Sequence, residues 1–545
     1  MFYIPSSIKW IRLTISVVLF SVISALNFDP DDWYVIKKIG SITSITEDDF
    51  LVYILADNGI FTIDKSSGDI EYNMEFSDNF QNPQILFYDE SLDYFWLITQ
   101  NEIYIKSSVG SYWRNLSHSD LGFDFRRTIY DIGSSPSYIW IDMGTQIYPV
   151  YAHGSGIPED EEIDFTESDL IKWGHYSKGR SGESLDISQY LIMDDWNVGL
   201  KSIRDLDGHV INPTVMFEDS NGEIWIGSDE GILLKGWRHS QRLEVIQTGP
   251  LSQSITIYQK DNQGNWWFGD SYFMRWGKSK NLSYNKNNFI LSHWYENDNQ
   301  WDYIKLSSNY NGLLSDIHDI QNIGTFLYIS TLDGLLIYDT IQNEWDVLKQ
   351  KHGLKDDVLW DIEEYENSLY IATKFGISEV SIVDNYVIPN KDNWIEQFDN
   401  VEIYDIKINS DYFYVSSAKG LFRIDHIEEK IKKLSTRIFD KIQIIDGMVW
   451  GLGNSLWWID AQGTEQKYKS SVTNFYIHED FVWTTNGKAI TLSNFITENE
   501  WDIPLERGME GAHIYSLSCD DEWVWFLTNK GIIFYNWTTY NNAQN

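Results

Sequence analysis

The chain has 545 residues and is 16% aromatic, so it is long enough for two domains and too rich in apolar side chains to be disordered. Its formal net charge of -40 disfavours binding to nucleic acid, which needs a basic surface, and docking on anionic lipid. The single cysteine, Cys519, excludes an intrachain disulfide and a zinc site built from cysteines.

Residues 1–25 are predicted to be a signal peptide. Lys9 and Arg12 flank the start of an apolar run that ends at Ile23, and Ser24 and Ala25 supply small residues for cleavage. An uncleaved membrane anchor is the alternative. No later segment is apolar for long enough to cross a bilayer, so we expect a periplasmic, secreted or cell-surface protein without a transmembrane span in the mature chain.

A three-strand unit recurs along the rest of the chain, and Val215 to Trp237 shows it most clearly. Its main marker is an aromatic residue followed six positions later by a glycine, which supplies the positive φ of a tight turn. Most neighbouring copies lie roughly 35–45 residues apart, as in a four-stranded propeller blade. The marker occurs at Tyr53/Gly59, Trp225/Gly231, Tyr328/Gly334, Tyr370/Gly376, Tyr414/Gly420 and Trp525/Gly531, with looser copies at Trp96, Trp140, Trp267, Trp450 and Trp483.

Two further markers predict the other strands of each unit. A tryptophan after a short polar run predicts the outer, fourth strand, and it occurs at Trp33, Trp301, Trp345, Trp394, Trp501 and more weakly at Trp113. An apolar segment that contains an aspartate predicts the innermost strand, and it occurs at Ile129–Ile132, Ile317–Ile320, Leu359–Ile362 and Ile403–Ile406.

The segments Asn311–Asp339 and His352–Val380 resemble the two-component regulator propeller repeat, and Asp219, Gly222 and Trp225 match its Asp-x-x-Gly-x-x-Trp form. The resemblance implies a β-propeller with an extracytoplasmic sensing or scaffold role. In the best-known setting, this repeat forms the periplasmic ligand sensor of hybrid two-component systems. Because we find no kinase and no DNA-binding helix-turn-helix here, signalling would require a partner protein. A component of an outer-membrane secretion or surface machinery is a related possibility.

Eleven or twelve repeats exceed the four to eight blades of an ordinary propeller. We therefore predict an all-β protein with two consecutive rings of five to seven four-stranded blades, residues 27–290 and 291–545, with one larger ring as the alternative. The last three predicted strands form a blade without an outer strand. A strand from the opposite terminus, such as the one at Trp33, would complete this blade. For a ring that begins near residue 290, the strand at Trp301 would supply the closing outer strand. Residues 141–215 are predicted to hold either a decayed blade or a functional loop.

Eight residues at one register of the inner strands are the candidate ligand-binding residues. The aspartates either bind a cation or a sugar around a channel or accept hydrogen bonds from backbone amides of the next blade. The aromatic residues beside them either form a stacking platform or pack between blades. The set comprises Asp131, Asp319, Asp361 and Asp405 with Tyr130, His318, Trp360 and Tyr404.

The sequence contains no metal-binding histidine spacing, G-x-S-x-G elbow, Walker loop or dinucleotide motif. We therefore expect a non-catalytic binding protein, a sensor or envelope scaffold module, whose partner is a glycan, a peptide or another envelope protein. No cofactor is expected, although calcium remains open. The alternative is a polysaccharide lyase or hydrolase, for which His318 and Asp319 form the one local pair to test.

Overall fold

A computed structural model describes residues 32–537, with gaps of which the longest are 122–128, 159–164, 178–184, 205–209, 270–289, 306–316 and 506–510. The predicted signal peptide lies outside the described residues. The regular secondary structure of the described residues is almost entirely β-strand, and most strands are arranged in eleven blades that we number 1 to 11 in chain order. The prediction of a β-propeller is confirmed.

Blades 1 to 4 form the first ring, in which each inner strand packs against that of a neighbouring blade. Blade 1 contains Ile42–Glu47, Leu51–Ala56, Gly59–Asp64 and Ile70–Tyr72. Blade 2 contains Pro83–Asp89, Tyr94–Thr99, Glu102–Ser107 and Arg114–Ser117. Blade 3 contains Asp131–Ser134, Tyr138–Asp142 and Ile147–Tyr151, with Lys172–Trp173 added on the inner side. Blade 4 contains Pro213–Glu218, Glu223–Ser228, Leu233–Trp237 and Arg242–Ile246, with Tyr176–Ser177 and Leu191–Ile192 at its two edges.

The interval between blades 3 and 4 is neither a complete blade nor a bare loop. Its described residues include the 3-10 helix Phe165–Leu170 and a three-stranded sheet of Asn197–Val198, Ile203–Arg204 and Val210–Ile211. Ile203 and Ile211 pack on Ile224 and Ile226 of blade 4. The small sheet therefore covers a face of blade 4, as a neighbouring blade would.

Blades 5 to 11 form the second ring. Blade 5 contains Ile257–Lys260, Trp266–Gly269, Ile290–Tyr295 and Gln300–Lys305. Blade 6 contains Ile317–Ile323, Phe326–Thr331, Gly334–Asp339 and Glu344–Leu348. Blade 7 contains Leu359–Tyr365, Ser368–Thr373, Gly376–Ser381 and Val387–Ile388. Blades 8 and 9 contain Ile403–Ile408, Phe413–Ser417, Gly420–Asp425 and Lys430–Ser435; and Lys441–Ile445, Met448–Leu452, Ser455–Ile459 and Glu465–Ser470. Blades 10 and 11 contain Asn474–His478, Phe481–Thr485, Ile490–Asn494 and Asn499–Ile503; and Ile514–Cys519, Trp523–Thr528, Gly531–Asn536 and Trp33–Ile36. Short helices cover Gln350–His352 and Asn393–Glu396.

The second ring is closed by the strand at the start of the described chain. Trp33–Ile36 pairs antiparallel with Gly531–Asn536 and so becomes the outer strand of blade 11. Blade 11 then packs against blade 5, where the rings of Trp266 and Trp525 meet edge to face at 5.0 Å. This closure leaves neither terminal blade of the second ring with an unpaired edge facing a gap.

The repeated aromatic residues fill the spaces between blades. Trp225, Tyr328 and Trp483 are at most 2% exposed, and each lies on the second strand of its blade. The glycine six positions later takes a positive φ, 83° at Gly231 and 122° at Gly531. The main sequence marker therefore identifies the packing residue and the turn of the same blade, as expected.

Four details differ from the sequence-based expectation. The predicted boundary between residues 290 and 291 falls inside blade 5, because Ile290–Tyr295 is hydrogen-bonded to Trp266–Gly269. For the same reason Trp301 completes blade 5 rather than closing the ring. Trp394 lies in the helix Asn393–Glu396 and fills the inter-blade core from there, at 1% exposure. In addition, the first ring has four full blades among its described residues rather than five to seven.

Candidate functional site

The predicted aspartates of the second ring join neighbouring blades. Asp319, Asp361 and Asp405 lie on the inner strands of blades 6, 7 and 8. Each carboxylate accepts a backbone N–H from the next blade: Ile362 at 3.1 Å, Ile406 at 2.8 Å and Ile442 at 2.6 Å, respectively. This is the structural alternative considered from the sequence, and it occupies one oxygen of each side chain.

Lys407 lies at the centre of these carboxylates. Its Nζ is 3.4 Å from Asp361, 2.9 Å from Glu363 and 3.3 Å from Asp405. Burial and the carboxylate of Asp361 raise the pKa of Asp319 to about 8, and the surrounding carboxylates hold the pKa of Lys407 well above its usual range. A metal ion at this point would have to displace the ammonium group. The cluster is therefore an internal network of ion pairs centred on Lys407.

The predicted aromatic residues lie beside this network. The rings of His318 and Trp360 meet nearly perpendicularly at 4.7 Å, and the Tyr404 hydroxyl donates to Glu402 at 3.2 Å. All three side chains are half-buried. The structure thus brings His318, Trp360 and the aspartates onto adjacent blades, and a ligand-binding role for them stays a prediction.

Tyr130 and Asp131 belong to the first ring and are separate from the other six residues. Asp131 accepts the backbone N–H of Ile132, its own neighbour, at 2.8 Å. Tyr130 is 43% exposed and its ring lies against Gly144. The sequence register placed Asp131 on a strand of blade 3, with Tyr130 directly before it, but could not show that blade 3 belongs to a different ring.

A pocket of about 470 Å³ lies where the inner strands of all four first-ring blades end. We call it the axial pocket. Phe87 of blade 2, Phe217 of blade 4 and Trp173 of the added strand contribute apolar walls. Trp173 is 37% exposed, the most accessible of these three rings. A flat, accessible indole at the mouth of a propeller can stack on a sugar ring or pack on an apolar side chain.

Two glycines allow Trp173 to reach the axial pocket. Gly133 is directly opposite Trp173 in the pairing of blade 3 with its added strand. A Cβ at Gly133 would lie 2.8 Å from the carbonyl oxygen of Lys172, and one at Gly174 would lie 2.7 Å from the Phe87 ring. The innermost strand can therefore approach the inner strand of blade 3 only because these two positions lack side chains.

Most carboxylates around the axial pocket already have partners. Glu47 is 2.5 Å from the Nζ of Lys65, and Glu218 is 2.8 Å from Arg238. Glu90 is 3.7 Å from Lys172, and both side chains of that last pair are largely exposed. The accessible groups of the described lining therefore include the indole of Trp173, the Lys172–Glu90 pair beside it and the carboxylate of Asp49.

The sequence analysis missed Trp173 because it lies in the irregular interval between Trp140 and Trp225 and belongs to no repeat marker. A usable signal was present nevertheless. A glycine directly follows the tryptophan, in a segment without blade periodicity, and such a position indicates close approach of the backbone to another element.

No family model matches the sequence, and no curated protein matches it either, so no family model confirms the resemblance to the two-component regulator propeller repeat. Solved structures do match. PorZ, an essential bacterial surface component of the type-IX secretion system of Porphyromonas gingivalis, is 11% identical over 92% of this chain and 87% of its own, with a TM-score of 0.52. An extracellular domain attributed to a hybrid two component system of B. thetaiotaomicron is 15% identical over 92% of this chain and 69% of its own, with a TM-score of 0.40. The similarity to PorZ agrees with the β-propeller fold.

In the described part of the chain, no helix has the length and hydrophobicity that crossing a membrane would require.

Proposed function

We propose that this protein is a non-catalytic binding module that works outside the cytoplasm, as a sensor or envelope scaffold, and that its ligand occupies the axial pocket. The ligand is a glycan or a peptide. The observation that carries the proposal is the position of Trp173, an accessible indole held at the point where four inner strands converge.

The extracytoplasmic location is supported by the predicted signal peptide and by the surface location of PorZ, with which the chain shares its fold. The resemblance to periplasmic sensor repeats agrees with it. If the ligand is a peptide, it is a segment of another envelope protein, and that protein is then the partner of this chain.

The chemistry of the axial pocket favours binding over catalysis. Catalysis would need an acid, base or nucleophile available to a substrate. Here Glu47 and Glu218 are engaged by Lys65 and Arg238, and the exposed Glu90 lies 3.7 Å from the ammonium of Lys172. By contrast, a flat aromatic face beside an exposed ion pair offers stacking and hydrogen bonds, which suffice for recognition.

The test is a glycan and peptide array probed with residues 27–545, with and without a chelator. We expect reproducible binding to one ligand class that Trp173→Ala weakens by about tenfold or more, because about 1.4 kcal/mol corresponds to tenfold. Trp237→Ala is the matched control, since Trp237 is 47% exposed on the third strand of blade 4 and outside the pocket. Equal binding by wild type and Trp173→Ala would overturn the proposal.

The chelator arm separates the axial pocket from the aspartates. Because the ammonium of Lys407 already occupies the centre of the second-ring carboxylates, we expect binding to be insensitive to the chelator. Loss of binding on chelation would reassign the site to a calcium ion held by Asp361 and Asp405.

A further inference from the structure

A second cavity, of about 630 Å³, lies between the two rings. Its walls come from the outer strand of blade 1, from the closing strand Trp33–Ile36 and from blades 5 and 11. We call it the inter-ring cavity. Because both rings contribute to it, a molecule bound there would contact parts of the protein that are far apart in the sequence.

Aromatic rings and carboxylates dominate the lining of the inter-ring cavity. Tyr34 and Trp523 present half-buried aromatic side chains, and Trp266, which is 2% exposed, contributes a small part of its ring. Among the described residues of the lining, the charged groups are three carboxylates, those of Glu71, Glu296 and Asp520, and one ammonium, that of Lys260. Burial together with the charges of Glu71, Asp69 and Glu296 raises the pKa of Tyr34 to about 12, as expected in a negative field.

The protein already places ammonium groups on rings of this cavity. The Nζ of Lys260 lies 4.6 Å from the centroid of the Trp266 ring. The Nζ of Lys37 lies 3.6 Å from the centroid of Tyr72, which also lines the cavity. Attraction between a cation and an aromatic face is strongest for tryptophan and grows as water is excluded. Two internal examples show that these rings are placed where a cation is stabilised.

The carboxylate of Glu296 is held in place for a ligand. Its Oε2 accepts the N–H of the Trp266 indole at 2.8 Å and lies 3.7 Å from the Nζ of Lys260. The side chain nevertheless remains 46% exposed, so it can also face a bound molecule. A carboxylate fixed at the edge of an aromatic wall is the arrangement that recognises a positive charge on an apolar body.

We propose that the inter-ring cavity binds an organic cation, an amine or quaternary ammonium group carried on an apolar stem. The site is separate from the axial pocket and does not depend on it. The aromatic walls hold the stem and the cationic face, and the carboxylates supply the compensating charge. Lys260 is an internal competitor, because its ammonium occupies both the Trp266 face and the carboxylate of Glu296.

The experiment is a calorimetric titration of the full chain with choline and with its neutral isostere 3,3-dimethylbutan-1-ol. We expect choline to bind and the isostere to bind about tenfold more weakly or not at all, since only the cation gains from rings and carboxylates. Absence of choline binding, or equal binding of the two probes, would overturn the proposal. So would preferential binding of a neutral oligosaccharide in the cavity.

Three variants sharpen the test because they change affinity in opposite directions. Lys260→Met removes the internal competitor, so choline should bind several-fold more tightly, whereas a variant that merely damaged the cavity would bind more weakly. Glu296→Gln keeps an oxygen that can accept the Trp266 N–H but removes the charge, and choline should bind about tenfold more weakly. Glu344→Gln, at an exposed position of blade 6 outside the cavity, is the charge-matched control and should leave affinity unchanged.

The axial-pocket variant provides an independent check. Trp173→Ala should leave choline binding unchanged, because Trp173 does not line the inter-ring cavity. Weaker binding in Lys260→Met or unchanged binding in Glu296→Gln would refute the cation site, whatever the outcome for the axial pocket.

Discussion

Trp33 belongs to the second ring although it precedes the first ring in the sequence, and Trp33→Ala tests this directly. Its strand is the outer strand of blade 11, and its ring lies 4.3 Å from that of Tyr535. We expect the variant to destabilise blade 11 while the nearby first ring keeps its structure.

The expected magnitude follows from burial. Trp33 is 6% exposed and packs in the cluster that contains Trp483, Phe526 and Trp537. Removing a buried tryptophan side chain down to Ala costs about 3–5 kcal/mol. A weakened closing strand also exposes the edge of Gly531–Asn536, whose sequence is largely apolar, so the variant should aggregate more readily on heating.

Hydrogen exchange is the appropriate assay because it reports on individual strands. In Trp33→Ala, amides of Gly531–Asn536 should lose protection, whereas amides of Glu223–Ser228 in blade 4 should not. Trp237→Ala, which changes a tryptophan that is 47% exposed, should alter neither set. If Trp33→Ala leaves Gly531–Asn536 fully protected, or deprotects the first ring instead, the assignment of the closing strand is wrong.

Three further predictions concern the inner strands and the closing turn. Asp405→Ala should lower the free energy of unfolding by about 1–3 kcal/mol because the N–H of Ile442 loses its buried acceptor, and Asp405→Asn should cost less; urea unfolding of both variants checks this. The pKa of Asp319 is raised to about 8 in the folded state, so the folded state holds more protons than the unfolded chain between about pH 4 and pH 8. The free energy of unfolding should therefore fall as pH rises through this window. Asp319→Asn should make this pH dependence weaker, and an unchanged pH dependence would contradict the reasoning. Gly531→Ala should lower the melting temperature far more than Gly264→Ala, since its Cβ would lie 2.2 Å from the carbonyl oxygen of Ile36 while the Cβ at the control position meets no atom within 4 Å.

The repeated part of the fold was predictable from sequence because each blade solves the same packing problem. A large aromatic residue must fill the space between sheets, and a glycine must turn the chain, so Trp225/Gly231 and Tyr328/Gly334 follow one spacing. The spacing depends only on contacts within a blade and with its neighbour. It therefore survives in the sequence even where identity with known propellers is very low.

The division into rings was harder to predict because it depends on long-range pairing. The marker at Trp301 is the same as that at Trp33, yet one strand completes its own blade and the other closes a ring. Local sequence cannot distinguish these cases, because both are outer strands with a buried tryptophan, Trp33 at 6% and Trp301 at 7% exposure. The axial pocket was missed for a related reason: its indole, Trp173, comes from a segment that repeats nothing.

The inner-strand aspartates show how a site prediction and a structural role arise from one pattern. A polar residue at a fixed register near the axis of a ring faces the channel or the next blade. In blades 6, 7 and 8 the aspartate bonds to the next blade. Blade 9 has Lys441 at this register, and its Nζ donates to the carbonyl oxygen of Phe475 in blade 10 at 3.0 Å. The register therefore carries a side chain that bonds to the next blade, as an acceptor in blades 6 to 8 and as a donor in blade 9.

The closing strand also links the folding of the two rings. Blade 11 is complete only when Trp33–Ile36 has paired with Gly531–Asn536, and the whole first ring lies between these segments in the chain. A fragment of residues 255–545 should therefore expose a long apolar strand edge and aggregate. The same fragment followed by a Gly/Ser linker and residues 30–38 supplies the strand locally, so it should be monomeric and cooperative in unfolding.

Size-exclusion chromatography with light scattering distinguishes the two fragments. A third fragment, in which the appended segment carries Trp33→Ala and Val35→Ser, has the same length but lacks two side chains that are each at most 6% exposed in the protein. It should behave like the fragment without the strand. If all three fragments are equally monomeric, closure of the second ring does not depend on this strand. The two rings are then independent folding units, although Trp33–Ile36 precedes the first ring in the chain.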